Sequence, residues 1–235
     1  MDIVLSAHGG GGKLTEELIQ EVFLNEFDSD ILNEMEDSAV LDIDFNKLAF
    51  TTDSYTVKPL FFPGGDIGRL AVCGTINDLL TRGAVPLFLS ASFIIEEGFR
   101  LYDLKRIASS MARTCREAGV KIVAGDTKVV ARGDADGIFI NTSGAGYVPF
   151  GVNISVKNAK PGDKVIISGT IGDHGMAVLS SREDFTFDPP LESDCAPLVD
   201  IVNTLRSFGE SVRVLRDPTR AGVAEVLYNI SRASG

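Results

Sequence analysis

The chain has 235 residues, 44% of them hydrophobic, enough to bury a core in one large domain or two smaller ones. Its 33 acidic residues outnumber 22 basic ones, and the net charge of −11 repels polyphosphate backbones and argues against general nucleic-acid binding. A bound polyphosphate would therefore need local help from metal ions.

Cys73, Cys115 and Cys195 lie far apart without CxxC spacing, so the pattern suggests neither a disulfide framework nor a zinc site, and buried free thiols are expected. The start Met-Asp-Ile-Val-Leu-Ser turns glycine-rich with no basic, apolar and small-residue signal pattern. No apolar run reaches the roughly twenty residues of a membrane span. The expectation is a cytoplasmic protein with no membrane or nucleic-acid partner.

In chain order, Leu14, Leu18, Ile19, Val22 and Phe23 recur at helical spacing with acids between them and predict an amphipathic helix. Ala39 to Ile43 and Leu48 to Thr52 read as strands. Asp66 caps a helix running to Arg82, with Gly83 just past its end. Val85 to Ile95 is a long strand, and a helix from about Tyr102 to Ala118 stops at Gly119. Val120 to Ala124 then reads as a buried strand ending at Gly125-Asp126-Thr127, and a strand pair is expected over Lys128 to Val148.

The turn chemistry of Asn158 to Asp163 separates this α/β unit from the remainder of the chain, with a boundary near residue 155. Domains of 1–155 and 156–235 are expected. The second should hold a strand over Lys164 to Ser168, a glycine turn and short helix, a polar loop at 184–197, a helix to about Phe208, a further strand, and a helix after Asp217-Pro218. With fewer than about eighty residues, that domain reads as incomplete.

The residues most suited to chemistry are acids placed at strand ends or in turns beside small residues: Asp37, Asp53, Asp78, Asp126, Asp173 and Asp217. A magnesium-bound triphosphate needs oxygen ligands on the cation and N–H groups or cations on the phosphates, which carboxylates near glycine turns can supply. Each acid taken alone also fits a helix cap or turn.

Asn77 and Asp78 interrupt an otherwise apolar helix, where an unpaired carboxylate would be costly to bury, so Asp78 is a ligand candidate. Asp126, Thr127 and Lys128 bring a carboxylate, a hydroxyl and an ammonium together directly after a buried strand. Gly9 to Gly12 and Lys13 do not make a Walker loop, because Ala7 and Leu14 stand where Gly and Ser or Thr are needed. A glycine lid with Gly11, Gly12 and Lys13 approaching phosphates remains open beside a disordered leader. Gly172-Asp173-His174-Gly175 is either a phosphate-facing turn or a capped helix start.

Taken in order, His8-Gly9-Gly10-Gly11-Gly12-Lys13, Glu36-Asp37-Ser38-Ala39-Val40, Thr51-Thr52-Asp53-Ser54, Asn77-Asp78-Leu79, Gly125-Asp126-Thr127-Lys128-Val129-Val130, Gly172-Asp173-His174-Gly175 and Asp217-Pro218-Thr219-Arg220 resemble one family across the whole chain. This is the aminoimidazole ribonucleotide synthetase-like ATP-binding family and, within it, the HypE hydrogenase-maturation proteins.

The resemblance implies an α/β (α+β) fold of two domains, with a homodimer joined through the N-terminal sheets and ATP near that interface. It implies Mg²⁺ on Asp37, Asp53, Asp78 and Asp217, and nucleotide contacts from Gly11, Gly12, Lys13, Asn77, Asp126, Thr127 and Asp173. Lys128 and Asp126 are expected at the reacting group.

The implied activity is ATP-dependent dehydration of a carboxamide on a C-terminal cysteine sulfur to thiocyanate, the precursor of the cyanide ligands of [NiFe]-hydrogenase. HypF would supply the carbamoyl group, and a HypC–HypD scaffold would accept cyanide. The family's C-terminal cysteine has no match here, so the chain as given is not expected to complete the reaction. Thiamine-phosphate kinase and selenophosphate synthetase share the aspartates, although the early loop lacks the reactive cysteine of the latter. A non-catalytic dimeric docking module is the reading from another class.

Overall fold

The computed structural model describes residues 3–9, 13–33, 44, 47–183, 185–219 and 222–235. The expected strand over Ala39 to Ile43 lies outside them, as do Gly11, Gly12 and Asp37. Helix α1 (Lys13–Leu18) continues through a wider π turn (Ile19–Leu24) into α2 (Asn25–Phe27), and Asp28 ends the run with φ 48°. Its buried stripe is Leu18, Val22, Phe23, Leu24 and Phe27. Phe23 stacks 4.7 Å from Phe93, fastening this segment to the sheet. A short α3 (Asp30–Asn33) comes next.

Strand β1 (Leu48–Tyr55) is followed by a small hairpin of β2 (Phe61–Phe62) and β3 (Gly65–Asp66). Helix α4 (Ile67–Thr81) starts where expected: the Asp66 carboxylate accepts from the N–H groups of Gly68 at 2.8 Å and Arg69 at 3.0 Å. The helix stops at Arg82, and Gly83 turns the chain with φ 71°.

Strand β4 (Val85–Glu96), helix α5 (Leu101–Ala118), strand β5 (Lys121–Val130) and strand β6 (Ile138–Tyr147) complete the unit. The order β1-β6-β4-β5 makes β1 and β5 the edges, with β4 and β5 parallel and β6 antiparallel to both its neighbours.

Period-two alternation gives the sheet two different faces. Leu89, Ala91, Phe93 and Ile95 of β4 and Ile138, Ile140 and Thr142 of β6 are buried, and they share the core with Ile76 and Leu80 of α4 and Leu104, Ile107 and Met111 of α5. Full burial of a large aliphatic side chain contributes about 1.5–3 kcal/mol, so this one-sided layer is the main source of stability. Within it, Tyr55 Oη stands 3.1 Å from Thr75 Oγ1, which stands 2.5 Å from Thr142 Oγ1; Thr142 donates to the Ala71 carbonyl at 2.9 Å. This chain of hydroxyls registers β1, α4 and β6 without leaving a buried oxygen unpaired.

Two expectations are corrected here. The strand predicted to end at Ala124 runs on to Val130, because Asp126, Thr127 and Lys128 pair with Ser92, Phe93 and Ile94 of β4. Polar residues are tolerated because β5 is an edge strand, with Asp126 and Lys128 exposed. The strand pair expected over Lys128 to Val148 is therefore the tail of β5, a turn and the single strand β6.

Beyond residue 155 the described α-helices are α6 (Asp173–Arg182), α7 (Val199–Arg206) and α8 (Gly222–Ser234). The strands expected over Lys164 to Ser168 and after Phe208 are absent from the described residues. Val165, Ile166 and Ile167 are apolar but exposed, since no described strand lies alongside to pair with them.

The segment 193–198 forms a strap that returns to the first unit. Ser193 N–H donates to the Pro63 carbonyl at 2.9 Å, and Val202 of α7 is buried in the main core. No described helix is long and apolar enough to cross a membrane.

Candidate functional site

Thr51, Asp53 and Tyr55 point to the helix side of β1, while Thr52 and Ser54 alternate to the open face. This places Asp53 toward α4, which carries Asp78 in its last turn and a half. Thr51 donates its hydroxyl to Asp78 Oδ2 at 3.0 Å. Burial pushes the Asp78 carboxyl up; the Thr51 bond pulls it down, Asp53 pushes it up again, and the Arg216 guanidinium lowers it.

Asp217 is pushed up to about 6, first by burial and then by Asp78, with a smaller contribution from Asp53. Asp217 thus senses the charges of Asp78 and Asp53, acids far from it in sequence, and Asp78 senses Asp53. Tyr55 feels Asp53 and Asp78 too, and burial above all drives its phenol well beyond the ordinary range.

Partly buried carboxylates that repel one another are stabilised by a cation. Their hard oxygen donors fit a divalent ion whose remaining positions go to water or phosphate oxygens. Among the described residues, no three His, Cys, Asp or Glu side chains close into a ready metal cage. The arrangement is an open acidic rim rather than a preformed coordination sphere.

The other expected site residues are distributed differently. Lys13 opens α1 on the surface, 3.4 Å from Glu17 Oε1. Asn77 turns toward the strap: its amide donates to the Ala196 carbonyl at 3.1 Å and its oxygen accepts from Leu198 N–H at 3.0 Å. Asp173 is the first residue of α6 and accepts a bond from the Thr170 hydroxyl. His174 beside it shares a proton with Ser193 Oγ at 3.0 Å and meets the Phe62 ring edge-on at 5.3 Å; burial lowers its proton affinity.

Asp126 and Lys128 share the open face of β5, with Thr127 between them toward the helices. A single register row runs Asp53, Thr142, Ala91, Gly125 across the sheet. Asp53 therefore stands about three strand spacings, roughly 14 Å, from the β5 backbone, and on the opposite face from Asp126 and Lys128. Within this chain Asp53, Asp78 and Asp217 lie within electrostatic reach of one another, while Asp126 and Lys128 are on the opposite face of the sheet from Asp53.

Sequence reasoning missed Thr51, Tyr55 and Arg216 as members of the acidic site. Thr51 and Tyr55 carried a usable signal, the two-residue offset that puts them on the same face of β1 as Asp53.

Residues 35–148 match the N-terminal domain of AIR synthase related proteins, and residues 160–235 match the C-terminal domain. The carbamoyl dehydratase HypE of Rhizobium leguminosarum bv. viciae is 52% identical over 229 residues, which cover 97% of this chain and 65% of that protein. The crystal structure of a hydrogenase maturation protein HypE in complex with ATP superposes with a TM-score of 0.95 at 48% identity, over 98% of this chain and 68% of the other.

HypE in a HypE–HypF complex is 62% identical with a TM-score of 0.79, over 95% of this chain and 71% of that one. The structure of AaThiL complexed with AMPPCP and TMP, at 19% identity and a TM-score of 0.64, shares the fold alone. The chain belongs to the HypE family of AIR synthase related proteins. It spans about 65% of the length of the Rhizobium relative.

Proposed function

We propose that the protein carrying this chain uses MgATP to convert a cysteine S-carboxamide to a thiocyanate in [NiFe]-hydrogenase maturation. The observation that carries this reading is the Thr51–Asp78 contact with the charges of Asp53 and Asp78 felt at Asp217, in a chain with close HypE relatives. In that reaction the amide oxygen attacks the γ-phosphorus and ADP leaves. The amide nitrogen then loses its two protons and forms the C≡N bond as phosphate departs with the oxygen. Bound Mg²⁺ would neutralise phosphate charge.

Asp53, Asp78 and Asp217 would hold that ion, with Asp37 as a fourth candidate. Gly11, Gly12, Lys13, Asn77, Thr127 and Asp173 are the proposed nucleotide contacts. Lys128 would offset charge developing on the transferring group, with Asp126 beside it. The acceptor cysteine would lie outside these 235 residues.

Two domains, 1–155 and 156–235, and a cytoplasmic homodimer complete the proposal. Support for the dimer comes from the open sheet face, which exposes Leu48, Phe50 and Ile94 alongside small hydroxyl residues. A sheet-to-sheet dimer would carry Asp126 and Lys128 into the interface. HypF as carbamoyl donor is supported by the related HypE–HypF complex. A HypC–HypD scaffold as cyanide acceptor rests on the family resemblance.

The test is the intact mass of the whole protein after HypF, carbamoyl phosphate and ATP are supplied. A carbamoyl adduct that loses one water on ATP addition is the expected result. An adduct that keeps its water while ATP is bound overturns the assignment.

A further inference from the structure

We propose that Cys73 and Cys195 form an oxidative modification site, a thiol pair that a hydroperoxide-class oxidant joins into a disulfide, fastening the strap 193–198 to helix α4. The argument begins with one face of that helix. Arg69, Cys73 and Asn77 recur at four-residue spacing and so point the same way. The residues at both ends of this row hold the strap backbone.

Arg69 Nε donates to the Cys195 carbonyl at 2.8 Å, while Asn77 bonds Ala196 O and Leu198 N–H at 3.1 and 3.0 Å. Cys195 N–H donates to Ser193 Oγ at 3.1 Å, which fixes the turn that aims its side chain at the helix. Cys73 sits one helical turn from each anchor on the face that holds the Cys195 backbone, close enough that each thiol perturbs the other's proton affinity. Both thiols are free.

The two cysteines have different environments, which defines the order of events. Cys73 is 2% exposed, whereas Cys195 is only partly buried and meets an oxidant first. The Cys73 thiol alongside, with the Arg69 guanidinium, favours the Cys195 thiolate despite its burial. The Cys73 thiol is held protonated by its Cys195 neighbour and by burial.

The Cys195 thiolate attacks a peroxide oxygen, breaking the O–O bond to give a sulfenic acid and hydroxide, which leaves as water after protonation. Cys73 then gives up its proton and attacks the sulfenic sulfur, and the S–O oxygen departs as a second water. Two thiols are oxidised by two electrons, and one hydroperoxide is reduced. The site is independent of the nucleotide reading, although the helix it would clamp also carries Asp78.

To test this, the reduced protein is treated with hydrogen peroxide, quenched, digested without reductant, and mapped by mass spectrometry. The expected product is a peptide pair joined at Cys73 and Cys195, two hydrogens lighter than the separate thiol peptides and restored by dithiothreitol, while Cys115 stays alkylatable. Amide exchange in the strap should slow roughly tenfold or more in the oxidised protein.

Both thiols remaining alkylatable, or Cys195 ending as sulfinic acid beside a free Cys73, overturns the site. A Cys73–Cys195 link with unchanged exchange overturns the fastening. Cys73→Ser supplies a second readout: the Cys195 sulfenic acid should persist and be trapped by dimedone, and a Cys195 that stays a free thiol with no dimedone adduct counts against the pair.

Discussion

Thr51 on β1 donates a hydroxyl hydrogen bond to Asp78 on α4, across 3.0 Å and 27 positions of sequence. The bond selects the rotamer of a half-buried carboxylate and offsets part of its desolvation. Asp78→Asn keeps the shape and removes the charge. In Asp78→Asn and in Asp53→Asn, MgATP affinity measured by calorimetry is expected to fall tenfold or more, about 1.4 kcal/mol, with unchanged circular dichroism. Full affinity in both variants would remove these acids from the site.

Asp217 sets a pH dependence. Its folded carboxyl, at about 6, lies above the ordinary value of 3.8, so between those limits the folded chain holds a proton that the unfolded chain has released. Stability should therefore be fully present below the ordinary value, fall as pH rises to about 6, and level off beyond it. Asp217→Asn should flatten this fall in urea unfolding measured from about pH 4 to about pH 7. Added magnesium should raise the wild-type midpoint above pH 6 more than below it, because the ion competes with the proton. An identical pH profile in the variant would contradict the assignment.

Phe50 is 68% exposed on the open sheet face, with Leu48 two residues away on the same side. A charge placed there costs the protomer little and costs a sheet-to-sheet contact much. Phe50→Glu is expected to convert a dimer to a monomer in sedimentation analysis while leaving the thermal midpoint nearly unchanged. Persistence of a dimer would place the interface elsewhere.

Gly74 of α4 packs directly against the Tyr55 side chain of β1. A Cβ at this position would overlap the Tyr55 hydroxyl, whose bond to Thr75 ties the two elements together. Gly74→Ala should therefore destabilise by about 1–3 kcal/mol despite the better helix propensity of alanine. Pairing it with Tyr55→Phe should recover part of the loss, which denaturant titration of both variants would show.

The elements legible in the sequence were those whose signals are local. Helix α5 shows Leu104, Ile107, Ala108, Met111 and Cys115 at helical spacing and ends at Gly119, while α4 is bracketed by Asp66 and Gly83. The illegible parts depend on neighbours. Gly125-Asp126-Thr127-Lys128 has turn chemistry, yet becomes strand because β4 lies beside it; Val165 to Ile167 has strand chemistry, yet pairs with nothing among the described residues. Asp53 and Asp126 look alike in sequence, each set among small polar residues. Strand order and side-chain alternation put them on opposite faces, and neither is visible from a local window.

The strand order also constrains when the acidic rim can assemble during synthesis. Among the described residues, β1 finds its backbone partner only in β6, and Ser54 and Asn141, joined by a side-chain bond, are 87 positions apart. Helices α4 and α5 with β4 and β5 are near neighbours in the chain and can associate early, but they offer β1 no ladder. A nascent chain must have released β6 from the ribosome before β1 has a ladder that holds Asp53 within electrostatic reach of Asp78. Until then the two carboxylates are separate groups in water, with no mutual repulsion for a cation to relieve.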